Sequence, residues 1–371
     1  MAANAEYWIC AQTGVTPLAE GIPGVAKTAG VNAFAKAVKR KGYVLIGSIR
    51  EPADIGGYPR ITDDNGMELV PASFILAASK EPYVILVDEL TSCPPAVQAP
   101  MLRMIAEKVV GDVTLHPKTL VLAACNPPEI AANGVDIEIP MANRVYHHKW
   151  KMDWDNWDIG MMNGLDFPAP SFPILPENWK VNIPQFGTLM VGFRKKRSTL
   201  FEDCPKERSK ATKAWGSPRS WTYGAQCVAA AHSVNAEDTV KFNLLAGLVG
   251  QGGATEFFNW IRELDIPDPE ELIKEAIKSN KTGKVMKYSH PRRADQVIAM
   301  LGAVSSAVLR NNTEERWLAG CTVIEQVFEK NPEIAISCFR PLHQGKPEKA
   351  ELSSEFIDKI FPIIYRGMYN T

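Results

Sequence analysis

The hydrophobic pattern divides the chain into two parts of different period. Up to about residue 150, short apolar runs alternate with helix-period stretches. Val15 to Ala19 reads as an apolar strand, and Thr28 to Lys41 as a helix stopped at Gly42. Tyr43 to Ile49 is rich in β-branched residues and predicts a second strand. Tyr83 to Val87 and Thr119 to Ala124 are continuous apolar runs, the pattern of strands buried on both faces of a parallel sheet. Val145 to Trp150 predicts the last strand. Pro95 to Lys108 places Met101, Leu102 and Ile105 on one side of a helix, and Pro71 to Lys80 starts another. Arg60 to Val70, with Asp63-Asp64-Asn65-Gly66 at its centre, predicts a hairpin, and Val109 to Pro117 a second one. Glu51 to Pro59 reads as a turn-rich loop, and residues 1 to 20 add an apolar cluster at Tyr7 to Cys10. Strands alternating with helices imply a layered, parallel α/β domain over 1–150.

The character changes after residue 150. Residues 151–180 are crowded with tryptophan and proline and read as a connector. Helical periodicity then dominates, with candidates at 185–202, 218–234, 236–249, 254–264, 269–279, 293–310, 314–330 and 353–368. This gives a helical region over 181–265 and a helical C-terminal extension over 266–371.

Composition narrows the class. At 371 residues and 46% hydrophobic, the chain can build two or three domains with a sizeable core. Lysine plus arginine (41) nearly balances aspartate plus glutamate (42), so charge offers no argument for nucleic acid or acidic lipid as the main partner. The seven cysteines are scattered without metal spacing, the pattern of reduced thiols in a cytosolic protein. No eighteen-residue apolar run and no signal-peptide pattern is present, so neither a membrane span nor a leader is expected.

The candidate chemistry is concentrated in five places. Gly21-Ile22-Pro23-Gly24-Val25-Ala26-Lys27-Thr28 lies between the first strand and the first sheet helix, the setting of a phosphate-binding loop. Glycines let successive N–H groups turn inward toward phosphate oxygens, and the helix adds its positive end. Lys27 would reach the β/γ-phosphates of ATP and Thr28 would hold Mg²⁺. The usual loop has glycine where Ala26 stands; a methyl group is accommodated there if φ stays negative. Asp88 and Glu89 sit at the C-terminal tip of the 83–87 strand, where open α/β sheets bind ligands. Asp88 suits Mg²⁺, directly or through water, and Glu89 suits polarisation of an attacking water. Asn126, at the tip of the next strand, can orient that water. Arg144 precedes the final strand and can project across a subunit boundary as a finger. Ser217 caps a helix with Pro218 at its first position, which puts Arg219 in the first turn, facing back toward the phosphates.

These five elements, in this order, resemble AAA+ ATPases, and within them the MoxR family of the helix-2-insert clade. The family's loop commonly carries alanine before the lysine, as Ala26 does here. Glu51-Pro52-Ala53-Asp54-Ile55-Gly56-Gly57, Asp88-Glu89, Pro94 to Gln98, Asn126-Pro127 and Ser217-Pro218-Arg219 carry the likeness across residues 10–260. It implies a P-loop α/β domain with helices on both faces of its sheet, then an all-α lid. It further implies ATP and Mg²⁺ as cofactors, a hexameric ring, remodelling of a protein client, and a possible partner with a von Willebrand A domain. The 60–70 hairpin would be the helix-2 insert and the 109–117 hairpin the pre-sensor hairpin, both facing the ring's pore. Two features depart from the family: Asn143-Arg144-Val145 stands where it tends to have Asp-Arg-Phe, and 266–371 lies outside its minimal core. Nucleic-acid remodelling of the McrB or helicase-loader kind, and an ATP-gated structural switch with little turnover, are the competing functions.

Plainer readings apply elsewhere. His147 and His148 are adjacent on a strand and face opposite ways, which disfavours a shared metal. Arg194 to Arg197 reads as a solvated helix face, the 150–157 tryptophans as domain packing, and Cys125 as a packed small residue. Arg144 has as its plainer reading a salt bridge at the sheet edge.

Overall fold

The computed structural model describes residues 3–64, 66–127, 129–130, 136–283, 286, 291, 293–328, 330–352 and 356–358. Its contacts group into two compact units, residues 1–176 with 202–255, and 177–201 with 256–371.

The first unit opens with helix α1 (Ala5–Thr13), which buries Tyr7, Trp8, Ile9 and Cys10. Strand β1 (Thr16–Glu20) leads through the glycine loop into α2 (Lys27–Ala37), followed by β2 (Lys41–Ile46). The 51–59 stretch is more ordered than a loop. Glu51 and Asp54 form a reciprocal capping box with Pro52 in the first turn, giving the short helix α3 (Pro52–Gly56). The two expected hairpins are β3 (Tyr58–Ile61) with β4 (Met67–Val70), and later β6 (Val109–Val110) with β7 (Val113–Thr114). Asn65 lies outside the described residues. Between the hairpins come α4 (Ser73–Lys80), β5 (Tyr83–Asp88) and α5 (Pro95–Glu107). β8 (Leu120–Cys125), α6 (Ile139–Ala142) and β9 (Val145–Lys149) complete the α/β part.

Five strands form one parallel sheet in the order β2-β5-β8-β1-β9. Strand alternation divides its core in two. Ile85, Val87, Val121 and Ala123 pack with Met101, Met104 and Ile105 of α5 on one face. Val84, Leu86, Leu120 and Leu122 pack with Trp8 of α1 and Phe34 of α2 on the other. Burial on both faces is what the unbroken apolar runs required. β1 is flanked by β8 and β9, so the chain after it returns to either side, and the crevice beyond its carboxyl end is where such sheets receive ligands.

The connector contains a helix, α7 (Trp154–Met162), started by Asp153, whose side chain accepts from Asn156 N–H. α8 (Ile183–Lys196) belongs to the second unit. The first unit resumes with α9 (Arg208–Ala211), α10 (Pro218–Ser233) and α11 (Asp238–Val249). α10 and α11 pack on each other and on α1. Gly247 lets α11 approach β9 closely, since a Cβ there would meet the Tyr146 ring at 2.2 Å.

The second unit continues through α12 (Gln251–Arg262, from residue 256), α13 (Pro269–Thr282), α14 (Ala294–Arg310), α15 (Glu314–Phe328) and α16 (Pro332–Gln344). α14 is buried along most of its length and lies against α8. Trp317 and Phe339 anchor the core, and Arg316 grips Glu270 with two bonds of 2.8 Å. α16 has no counterpart among the helices read from sequence; it starts with Pro332 in its first turn, where the missing N–H costs nothing, and carries Pro341 within its last turn. The 353–368 helix lies outside the described residues apart from 356–358.

Candidate functional site

Each strand of the sheet delivers its chemistry at the carboxyl end. The loop after β1 is pinned from both sides: Gly21 N–H donates to Cys125 O at 3.2 Å, and Trp150 N–H to Glu20 O at 2.8 Å. The Trp150 indole N–H also donates to Val25 O at 2.9 Å. Gly21 leaves room for this clamp, since a Cβ would lie 3.1 Å from Cβ of Trp150. Gly24 has φ of 84°, which favours glycine. Ala26 corrects the condition placed on it above: its φ is 61° and ψ 27°, in the left-handed region. The loop therefore keeps the backbone turn that glycine normally serves, at a cost of roughly 1–2 kcal/mol. Ala26→Gly is expected to raise stability by about 1 kcal/mol, read as a higher denaturation midpoint; a lower midpoint would contradict the strain.

Lys27 is buried and its ammonium is fully engaged. Nζ donates to Gly21 O at 2.5 Å, Ile22 O at 3.1 Å and Asn126 Oδ1 at 3.1 Å. Burial pushes its pKa down, and the nearby Asp88 carboxylate pulls the other way. Thr28 Oγ1 donates to Asp88 Oδ2 at 2.8 Å, and Glu89 N–H donates to Asp88 Oδ1 at 2.9 Å. Lys27, Thr28, Asp88 and Asn126, drawn from three strand ends, thus meet at one point. Asn126 is steadied through its carbonyl, which accepts from Thr91 Oγ1 at 2.8 Å. The hydroxyl and carboxylate pair are hard oxygen donors already in contact, which fits Mg²⁺.

Glu89 carries a feature not read from sequence. Its backbone is left-handed, with φ of 60°, and its carboxylate accepts a hydrogen bond from Ser48 Oγ just past β2. Ser48 comes from the neighbouring strand's end (β2 and β5 pair from Lys41↔Tyr83 to Ile46↔Asp88), a register that sequence alone does not supply. Cys125 lies beside the site but is buried, and burial pushes its thiol up to about 12, which suits packing.

Arg144 and Arg219 are not joined to this cluster by any hydrogen bond or ion pair among the described residues. Arg144 Nη1 donates to Pro140 O at 2.7 Å. The sheet-edge salt bridge is not found there: no described carboxylate pairs with it. Arg219 is exposed in the first turn of α10. The segments that carry them are nevertheless linked through a neighbouring side chain. The buried Asn143 accepts from Ser217 Oγ at 2.7 Å and donates to Trp215 O at 3.3 Å. Ser217 caps α10, so Asn143, one residue before Arg144, and Ser217, two before Arg219, share one joint.

The two histidines of β9 face apart, as their spacing requires. His147 Nε2 lies 2.9 Å from Ala142 O, and His148 Nε2 lies 2.9 Å from Asn4 Oδ1. No metal-binding group of three or more His, Cys, Asp or Glu occurs among the described residues. Burial pushes His148 down to about 4 from 6.5, with Glu6 opposing and Lys151 assisting; burial lowers His147 as well. Between those two values the unfolded chain binds a proton that native His148 refuses, so stability falls as pH drops from 6.5 toward 4. The loss reaches up to ~3 kcal/mol. Denaturation at several pH values should show His148→Gln with a shallower acid dependence; an unchanged slope would exonerate the histidine.

Of the basic run, Lys196 pairs with Glu263 at 3.6 Å and Arg197 with Glu256 at 3.0 Å, which accords with a solvated helix face. No helix of the described residues is long and apolar enough to cross a membrane.

Residues 18–136 match the family model of the AAA domain, dynein-related subfamily. That span carries the glycine loop, Asp88, Glu89 and Asn126, and the architecture is an AAA+ P-loop domain accompanied by a mostly helical C-terminal region. Among solved structures, a "putative ATPase" from Cytophaga hutchinsonii is similar at 19% identity, covering 71% of this chain and 88% of that one, with a TM-score of 0.43. Comparison with curated proteins gives no match.

Proposed function

We propose that this chain is an AAA+ ATPase of MoxR type, which hydrolyses ATP within a ring of its own copies and uses the cycle to remodel a protein client. The observation that carries the reading is the convergence at the loop: Thr28 on Asp88 at 2.8 Å and Lys27 on Asn126 at 3.1 Å. The backbone N–H groups of residues 24–28 wrap the phosphates, and Lys27 exchanges its carbonyl partners for phosphate oxygens. Thr28 and Asp88 would hold Mg²⁺, which would supply neutralisation of phosphate charge when bound. Glu89 accepts the proton of the attacking water, which Asn126 orients. Arg144 of a neighbouring copy stabilises the transition-state charge, and Arg219 couples the helices around it to the nucleotide. The β3–β4 hairpin supports the client role: Ile61 is 80% exposed and Met67 72%, an adaptable apolar grip for a polypeptide in a pore.

Calorimetry with ATP and Mg²⁺ tests the core of this. Lys27→Ala is expected to weaken ATP binding by roughly tenfold to a hundredfold, the worth of a charged hydrogen-bond donor. Equal binding by the variant and the wild type would move the nucleotide away from this loop.

A further inference from the structure

Of the tryptophans at 150–157, Trp150 packs as the sequence suggests, with its indole bonded to Val25 O. Trp154 does not. It opens α7 and is 61% exposed. No other helix or strand of the described residues packs along α7. Trp154, Trp157 and Met161 recur at helical spacing and so form one apolar stripe. The two indole rings meet edge to face, with centroids 5.7 Å apart. Met162, beside the stripe, is 78% exposed. The turn after the helix prolongs this surface and is itself well fixed. Leu165 N–H donates to Gly160 O at 2.9 Å, and Phe167 folds back so closely that a Cβ on Gly160 would meet its ring at 2.1 Å. The Leu165 backbone is left-handed, with φ of 74°, a region that bulky residues avoid. An ordered, strained turn thus presents a leucine to solvent at 65% exposure.

Charge says what such a surface can take. The chain as a whole is nearly neutral, at −1, yet residues 152–176 hold Asp153, Asp155, Asp158 and Asp166 and no lysine or arginine. None of the four joins an ion pair among the described residues. By helical spacing Asp155 and Asp158 border the stripe on one side. Nucleic acid and acidic lipid would bring phosphates against these carboxylates, so both are disfavoured. A basic, apolar protein segment meets the stripe and its border at once. From Trp154 to Met161 the stripe runs ~10 Å, about two turns of helix, which suits a helix laid against it. Met161 and Met162 adapt their shape to the side chains that arrive.

We propose that α7 and the turn after it are a docking surface for a partner protein, which binds through an amphipathic helix with an apolar face flanked by lysine or arginine. Trp154 is the central anchor, Met161, Met162 and Leu165 surround it, and Asp155 and Asp158 set the partner's charge. The surface is distinct from the β3–β4 hairpin and works without nucleotide, so it stands apart from the ATPase reading.

The probe is a labelled synthetic helix of leucine and lysine, with the leucines on one face; a second helix carries glutamate in place of lysine. Binding of each to the full chain is measured by fluorescence anisotropy without nucleotide, so a failed ATPase reading leaves the outcome untouched. The lysine helix is expected to bind and the glutamate helix not. Trp154→Ala is expected to weaken the lysine helix by about thirtyfold, the loss typical of a tryptophan anchor. Asp155→Asn with Asp158→Asn is expected to weaken it several-fold and to flatten its dependence on salt. All three side chains are exposed, so the denaturation midpoints of these variants should match wild type. Wild type that ignores the lysine helix, or takes both helices alike, overturns the proposal. So does equal binding by wild type and every variant, which would put the helix elsewhere. Sedimentation supplies the last arm: a dimer that Trp154→Ala dissolves and the lysine helix fails to displace would make a second copy the occupant, and the proposal would fall.

Discussion

Glu89→Gln is expected to slow ATP turnover by about 10²–10⁴-fold while leaving ATP affinity unchanged. The substitution removes a proton acceptor and little else. Glutamine keeps the length of the side chain and an oxygen that can accept from Ser48, so the contact across from β2 survives. The carboxylate proposed to face the metal is Asp88, held by Thr28 and by the Glu89 backbone N–H, and neither bond involves the altered atoms. Single-turnover phosphate release, with binding measured separately, distinguishes chemistry from affinity. Turnover within a few-fold of wild type would relieve Glu89 of the base role. Loss of binding as well would mean that the acidic tip acts as a structural unit. A client assay in which wild type and Glu89→Gln behave alike would favour a structural switch over a motor.

The second large effect is assigned to Arg144. Arg144→Ala is expected to reduce turnover by roughly 10³–10⁵-fold, the worth of a finger supplied in trans, while ATP binding persists. The reason lies in what the guanidinium does not do within its own copy. Its recorded bond is to a backbone carbonyl, Pro140 O at 2.7 Å, which a phosphate oxygen can replace readily. A finger in trans also makes turnover per subunit rise with protein concentration until the ring is filled. Flat turnover from nanomolar to micromolar protein, together with indifference to Arg144→Ala, would make each copy a self-contained ATPase.

Much of this site was legible because its signals are local. Four apolar residues followed by Asp88-Glu89 can hardly be anything but a buried strand ending in a carboxylate pair, and β5 is that strand. The glycine loop announces itself by spacing, yet its key torsion does not: at Ala26 the tertiary clamp from Trp150 and Cys125 holds a left-handed turn that alanine alone avoids. Ser48 was invisible because its partner depends on strand register, which one-dimensional periodicity cannot give. The proline-rich connector conceals α7, whose N-cap is a single aspartate. Helix period shows that a face is buried and leaves open against what, so nothing in the linear order reveals that 177–201 packs with 256–371.

The Asn143–Ser217 joint has a consequence for timing. A bond of 2.7 Å between two buried side chains fixes the spacing of the backbones that carry Arg144 and Arg219. Two hands on one short handlebar cannot steer separately. A shift that seats Arg144 on a neighbouring copy's nucleotide is therefore carried through this bond toward Arg219, so the two sites respond together instead of in turn.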